Sequence, residues 1–403
     1  MNKKITISIM CVSIIAIIGI LVYLFLPINC PKSINESKNK SESIDTVLVI
    51  DGSGSMDDKT NAGEGVEMTK YQAAAKASTE IISMIQQEKK TQDLKSKVGM
   101  VQFSGSADTS LPLNEDFTDV KEFFSSGSSY SWGWGGTNLG SGIEEALELF
   151  SKSDNKNKVM VVLSDGRSNT GISNDEILSD LIPKANKMGV KIYTIGFDQD
   201  ESKKTTASQD VDPVFLYQIA KKTEGKFYYA QKLLDLVFAF SDLYHQATGD
   251  VIASIKGQIK NGQYKSAKIN VPCDCGNLRI TVNSSSKSKI KINLINSMNN
   301  SVISQTSRYK IVEENGFTNV TYNSPMSGEW QIELYGKDIK DSNTDFYLSA
   351  SVANKKAGSN TFNYWLADRF WYLIAIIGLI FVFIFTFLFY RFSFVKSKIT
   401  NTL

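Results

Sequence analysis

The sequence predicts two folded parts on a membrane-tethered chain. The first is an α/β domain, a mainly parallel sheet flanked by helices; an all-β sandwich follows it, and a transmembrane helix lies at each end. Three observations carry this. Up to about residue 249, short apolar runs alternate with amphipathic helical stretches, the pattern of a parallel sheet covered on both faces. From residue 250 to 353 the texture becomes short alternating strands punctuated by Asn, Gly and Ser. Residues 5–26 and 370–390 are uncharged and apolar, each about long enough to cross a bilayer core of roughly 30 Å.

The ends come first. Lys3 and Lys4 precede the first run, and Arg391, Lys396 and Lys398 follow the second, which places both termini in the cytoplasm. Trp365, Trp371, Tyr372 and Tyr390 sit where interfacial anchors belong. Residues 1–29 read as a membrane anchor or a signal peptide; the apolar run exceeds a signal core and no A-x-A-like site follows it, which favours the anchor. Lipidation at Cys30 is a third reading, disfavoured by Pro27 and Asn29 before it. All three put residues 31–366 outside the cytoplasm at the cell membrane. Residues 30–44 and 354–366 are polar linkers, 367–390 the C-terminal span and 391–403 a cytoplasmic tail.

Between the linkers the elements follow in order. DTVLVI is a buried strand, MTKYQAAAKASTEIISMI an amphipathic helix, VGMVQFS a strand and LGSGIEEALELFSKS a helix. KVMVVLSD is a near-continuous apolar run, as expected of a strand buried on both faces. ISNDEILSDLIPKANKMG is a helix with a proline inside it, and VKIYTIGFD a strand. VDPVFLYQIAKKTEG, KFYYA and QKLLDLVFAFSDLYHQATG then give helix, strand and helix, closing a domain at 45–249. In the sandwich at 250–353, SAKINV, LRITVN, KIKINLI and WQIELYG alternate as strands do. It is expected to act as a spacer, with a second binding surface as the alternative.

Composition narrows function. The 403 residues carry a formal net charge of +2 with no basic block, so nucleic acid is not the expected partner. Heavy use of Lys, Asn, Ser and Ile fits an AT-rich bacterial genome. Cys30, Cys273 and Cys275 lie in the extracytoplasmic part, where a disulfide is permitted, either within Cys273-Asp274-Cys275 or from one of them to Cys30. The single histidine, His245, sits in an apolar helical pattern, and its solitude argues against a histidine-dependent hydrolase or a three-histidine zinc site. H-E-x-x-H, G-x-S-x-G and Walker motifs are missing too, so the chain is not expected to be an enzyme.

The chemistry concentrates at strand ends. In an open α/β sheet, ligands bind at the carboxyl ends of the strands. Asp51 ends the first strand, with Ser53 and Ser55 on the glycine-bearing turn after it. Thr137 sits in the glycine-rich GWGGTNLGSG before a helix, and Asp165 ends the strand in VVLSDGRSN. Two carboxylates and three hydroxyls are oxygen-only donors, suited to a hard divalent cation. So few charged donors leave such a cation net positive and open to a carboxylate from a partner.

IDGSGSM, GGTNLGSGIEEAL and VVLSDGRSNTG resemble, together and in order, a von Willebrand factor type A (VWA) domain with a metal-ion-dependent adhesion site (MIDAS), over about residues 45–249. The resemblance implies a Rossmann-like fold and metal-mediated protein recognition rather than catalysis. It assigns Asp51, Ser53, Ser55, Thr137 and Asp165 to Mg²⁺ or Mn²⁺. The insertion DDKTNAGEGVE is longer and more acidic than a minimal family loop. A solvated loop is the preferred reading, with a Ca²⁺ site at Asp57, Asp58, Glu64 and Glu67 as the alternative. Tyr130, Trp132 and Trp134 in SSGSSYSWGWGG are expected either to frame the partner beside the metal or to pack as a local core. The leading expectation is therefore a surface protein that binds an acidic group of a protein ligand through the cation, as in adhesion. The alternative is an envelope assembly or stress factor working with a MoxR-type ATPase system.

Overall fold

The computed structural model describes residues 43–61, 66–92, 94–125, 136–198, 211–272, 275–285, 288–302, 309–314, 316–323, 325–339 and 342–354, with scattered positions between 380 and 388. The described residues from 43 to 354 lie within one compact unit. The apolar run 5–26 and most of 370–390 lie outside the described residues; positions 380, 381, 384, 385, 387 and 388 are helical. Among the described residues no helix is long and apolar enough to cross a membrane.

The central strand β1 (Ile44–Asp51) is buried along its whole length. Its side chains alternate between two cores, as a period of two requires. Leu48 and Ile50 enter one apolar cluster, Val47 and Val49 the other. β4 (Lys97–Phe103) and β6 (Asn157–Ser164) flank it in parallel. β7 (Val190–Phe197) and β8 (Phe227–Ala230) extend the sheet in parallel, and β5 (Ala107–Asn114) closes the far edge antiparallel to β4. Helices α1 (Lys70–Gln92), α2 (Thr118–Ser125) and α6 (Leu233–Thr248) cover one face. The other face carries α3 (Leu139–Ser151), α4 (residues 174–187) and α5 (Pro213–Lys222). This is the expected doubly covered α/β sheet.

Several elements differ from the sequence reading. The acidic insertion is not simply a solvated loop, because β2 (Lys59–Asn61) and β3 (Glu67–Thr69) pair as an antiparallel ribbon. Strand β5 and helix α2 were not expected: ADTSLPLN is largely polar and carries a proline, and the helix is only eight residues long. Pro183 does not break α4: the turn just before it, Ile177–Leu181, is a π-helix, with the Ile182 amide donating to the Ile177 carbonyl. A proline cannot donate and its ring crowds the carbonyl four residues back, so the wider turn relieves both.

The second part is two antiparallel sheets. β10 (Tyr264–Val271), β15 (Gly328–Asp338) and β12 (Lys289–Ile295) form one. β13 (Tyr309–Glu314), β14 (Phe317–Asn323), β11 (Cys275–Ser284), β16 (Thr344–Asn354) and β9 (Asp250–Ile259) form the other. Leu278, Ile280 and Val282 of β11 face Ile332, Leu334 and Trp330 of the smaller sheet across an apolar core. The intervening residues Arg279, Thr281 and Asn283 are also buried. Arg279 and Thr281 meet α6, where Arg279 Nη1 donates to the Thr248 carbonyl at 3.1 Å and hydroxyl at 2.7 Å. The larger sheet is therefore covered on both faces, by the smaller sheet and by the last helix of the α/β part.

Candidate metal centre

Asp51 is the last residue of β1, and Asp165 follows the last residue of its neighbour β6, so adjacent parallel strands deliver two carboxylates to one rim. Both side chains are fully buried. The chain turns sharply after Asp51 into a single 3₁₀ turn, Gly54–Asp57, pinned by the buried Met56. That turn brings Ser53 and Ser55 back over the strand ends. The Ser53 amide donates to Asp51 Oδ1 at 2.9 Å, and the Ser55 hydroxyl to Asp165 Oδ1 at 2.7 Å. The two serine hydroxyls are 3.2 Å apart.

Thr137 is placed by its backbone. Its amide donates to Asn169 Oδ1 at 2.8 Å, and its carbonyl accepts from the Asn169 amide at 2.9 Å. Asn138 caps α3 by accepting from the Ser141 amide at 3.1 Å, which fixes where the threonine loop becomes helix. A methyl group on Gly166 would lie 3.5 Å from the Thr137 hydroxyl and 4.0 Å from that of Ser55, so both hydroxyls border the same space beside Asp165. Four of the five predicted residues thus form one hydrogen-bonded set, and the fifth stands at its border.

The electrostatics fit a cation. Burial, and then the nearby Asp165 charge, push the Asp51 carboxyl up to about 6, against hydrogen bonds from Ser164 and Ser53. Burial also raises Asp165, opposed chiefly by the Lys70 ammonium. Two desolvated like charges are held together at a cost that a divalent cation would relieve. The donors are carboxylates and hydroxyls only, the chemistry of Mg²⁺ or Mn²⁺ rather than of zinc.

Three residues of the site escaped the sequence reading. The Ser164 hydroxyl donates to Asp51 Oδ2 at 2.5 Å; it is the one polar residue in the apolar stretch of its strand, which was its signal. Asn169 orders Thr137 from four residues beyond Asp165, in the quoted SNTG stretch. Lys70, the first residue of α1, is 3% exposed and donates to Asp165 Oδ2 at 2.6 Å. A lone lysine in the first turn of a predicted helix gave no signal at all.

Other expectations resolve differently. Tyr130, Trp132 and Trp134 lie outside the described residues, as does Glu64 of the suggested Ca²⁺ site. Within that insertion, Asp58 is turned toward Lys70, 3.7 Å away, and Glu67 lies in β3. Among the described residues no three acidic, histidine or cysteine side chains gather as a metal cluster. Cys275 is buried with its thiol donating to the Pro272 carbonyl at 3.5 Å, while Cys30 and Cys273 fall outside the described residues. His245 lies on α6, as its helical pattern implied, and is fully buried against the larger sheet of the second part.

The family model for the von Willebrand factor type A domain matches residues 45–242. An uncharacterized protein of Borreliella burgdorferi is 31% identical over 161 residues, covering 36% of this chain; the match spans only 45% of that relative's length. A von Willebrand factor type A structure from Catenulispora acidiphila aligns with a TM-score of 0.39 at 15% identity, over 77% of this chain and 64% of that one. An aerotolerance-related membrane protein from Bacteroides fragilis, solved with multiple mutations to serines, aligns with a TM-score of 0.38 at 18% identity, over 51% and 100% of the two chains.

Proposed function

The chain carries a von Willebrand factor type A domain, and from that premise we propose that it is a membrane-tethered, extracytoplasmic binding protein. On this reading it grips an acidic group of a protein partner through Mg²⁺ or Mn²⁺ held by Asp51, Ser53, Ser55, Thr137 and Asp165. The observation that carries the reading is the pair of buried carboxylates, Asp51 and Asp165, bordered by serine and threonine hydroxyls at the carboxyl rim of the sheet. A bound cation would supply a positive charge that a partner carboxylate completes.

The chain's own residues do the rest. Ser164 and the Ser53 amide orient Asp51 from both of its oxygens. Asn169 sets the threonine loop, and the 3₁₀ turn presents the serines. The site is one of recognition, not of bond making. Tethering is supported by the apolar runs at 5–26 and 370–390 and the basic residues beside them.

The test is calorimetric titration of Mg²⁺ and Mn²⁺ into the detergent-solubilised full chain and its Asp51→Ala variant. Saturable binding in the wild type that disappears in the variant is expected. Equal binding by both proteins, or binding by neither, would remove the metal site from the account.

A further inference from the structure

Among the described residues Lys70 is the one basic group that contacts the proposed cup, and its placement is tightly constrained. Its side chain is 3% exposed, and its Nζ lies 2.6 Å from Asp165 Oδ2 and 3.7 Å from Asp58 Oδ2. Its backbone amide donates to the Asp58 carbonyl at 2.9 Å, so the turn after the serines fixes where the helix starts and where this side chain enters. Lysine is almost never fully buried unless paired, and here the main partner is a carboxylate with zero exposure.

The two oxygens of Asp165 are consequently divided. Oδ1 faces the Ser55 hydroxyl inside the cup, while Oδ2 is taken by the ammonium. With Asp51 and Asp165 ionised, the buried charges sum to one net negative rather than two. Asp58, 44% exposed and at the longer distance, shares its charge with water.

We infer that Lys70 is a resident counter-ion of the cup, weakening cation binding to the partner-free protein and so coupling cation retention to the arrival of an acidic partner. This rests on the metal reading above. A divalent cation beside one net negative charge keeps an excess positive charge. A partner carboxylate cancels that excess, and by reciprocity the partner tightens the cation by the factor the cation tightens the partner. A bare two-carboxylate cup would hold its cation well without a partner, and would gain less from one.

The experiment titrates Mn²⁺ alone, without partner, into the full-length wild type, Lys70→Met, Lys70→Gln and Asp51→Ala. Removing a unit charge a few ångströms from the cation should tighten Mn²⁺ about tenfold or more in both neutral variants. Wild-type binding that is lost in Asp51→Ala, yet unchanged or weaker in both neutral variants, would overturn the counter-ion role alone, since a purely structural lysine leaves Asp165 loose when removed. No binding in the wild type or either neutral variant would overturn the metal reading and this inference with it.

A second measurement needs only the wild type and so survives misfolding of both variants. In protein labelled with ¹⁵N at lysine Nζ, saturating Mg²⁺ should shift the Lys70 resonance as Asp165 turns part of its charge toward the cation. A resonance that stays fixed while calorimetry reports saturation would overturn the inference.

Discussion

His245 Nδ1 on α6 lies 2.6 Å from Ser351 Oγ on β16, and the opposite ring nitrogen lies 2.9 Å from Thr281 Oγ1 on β11. One imidazole thus ties the last helix of the α/β part to two strands of the following sheet. The contact around it is largely polar: Arg279 donates to Thr248, the Tyr347 hydroxyl to Asp235, and Asn319 to Gln87 of α1 at 3.1 Å. Phe238 stacked on Tyr347, with ring centroids 4.5 Å apart, adds an apolar patch.

Acid should loosen this junction. Burial, and then the Arg279 charge, hold His245 down at about 3, against an ordinary value of 6.5. The native state therefore refuses a proton that the unfolded chain accepts, so stability falls as pH drops from about 6.5 towards 3, by up to about 1.4 kcal/mol per pH unit. Thermal unfolding of wild type and His245→Gln across that range measures it. The variant should show the shallower acid slope, and identical slopes would contradict the assignment.

Neutralising Asp51 should stabilise the cation-free protein. Its carboxyl is raised by burial to about 6, so the charge it carries at pH 7 opposes folding by roughly 2–3 kcal/mol. Asp51→Asn keeps an acceptor for the Ser53 amide and removes that charge. The expected result, in chelator and at neutral pH, is a higher unfolding temperature than wild type, and a temperature that no longer rises when Mg²⁺ is added.

Gly171 sets the threonine loop from a distance. Its φ of +70° is costly for other residues, and a methyl group there would come within 1.9 Å of the Asn138 side-chain Nδ2. Gly171→Ala should destabilise by about 1–3 kcal/mol. By displacing the cap beside Thr137 it should also weaken Mn²⁺ binding. Calorimetry on the variant checks both effects, and unchanged affinity would separate the cap from the site.

Trp330 anchors the second core, 1% exposed, with its indole nitrogen donating to the Met326 carbonyl at 2.8 Å. Trp330→Ala should cost about 3–5 kcal/mol. Because α6 is packed against the larger sheet, the helical signal should melt together with the strands. Two separated transitions in the variant would show that the junction does not couple the parts.

Much of this was legible in the chain. β1, β4, β6 and β7 are predominantly apolar runs, the composition expected of strands buried on both faces. Asp51 and Asp165 were visible because a carboxylate at the end of such a run is conspicuous. Lys70 was not, since its role comes from a contact across 95 residues that no local pattern encodes. The junction was hidden for a related reason: Arg279, Thr281 and Ser351 alternate with apolar residues exactly as solvent-facing strand residues would, and only the helix laid over them makes that face interior.

The pairing of β9 with β16 has a mechanical consequence. Asp250, where the chain enters the second part, is opposite Val352, and β16 ends at Asn354. Entry and exit therefore lie side by side on neighbouring strands, whose spacing is about 5 Å. Tension between the chain before Asp250 and the chain after Asn354 would therefore cross that short gap instead of running through the length of the sandwich.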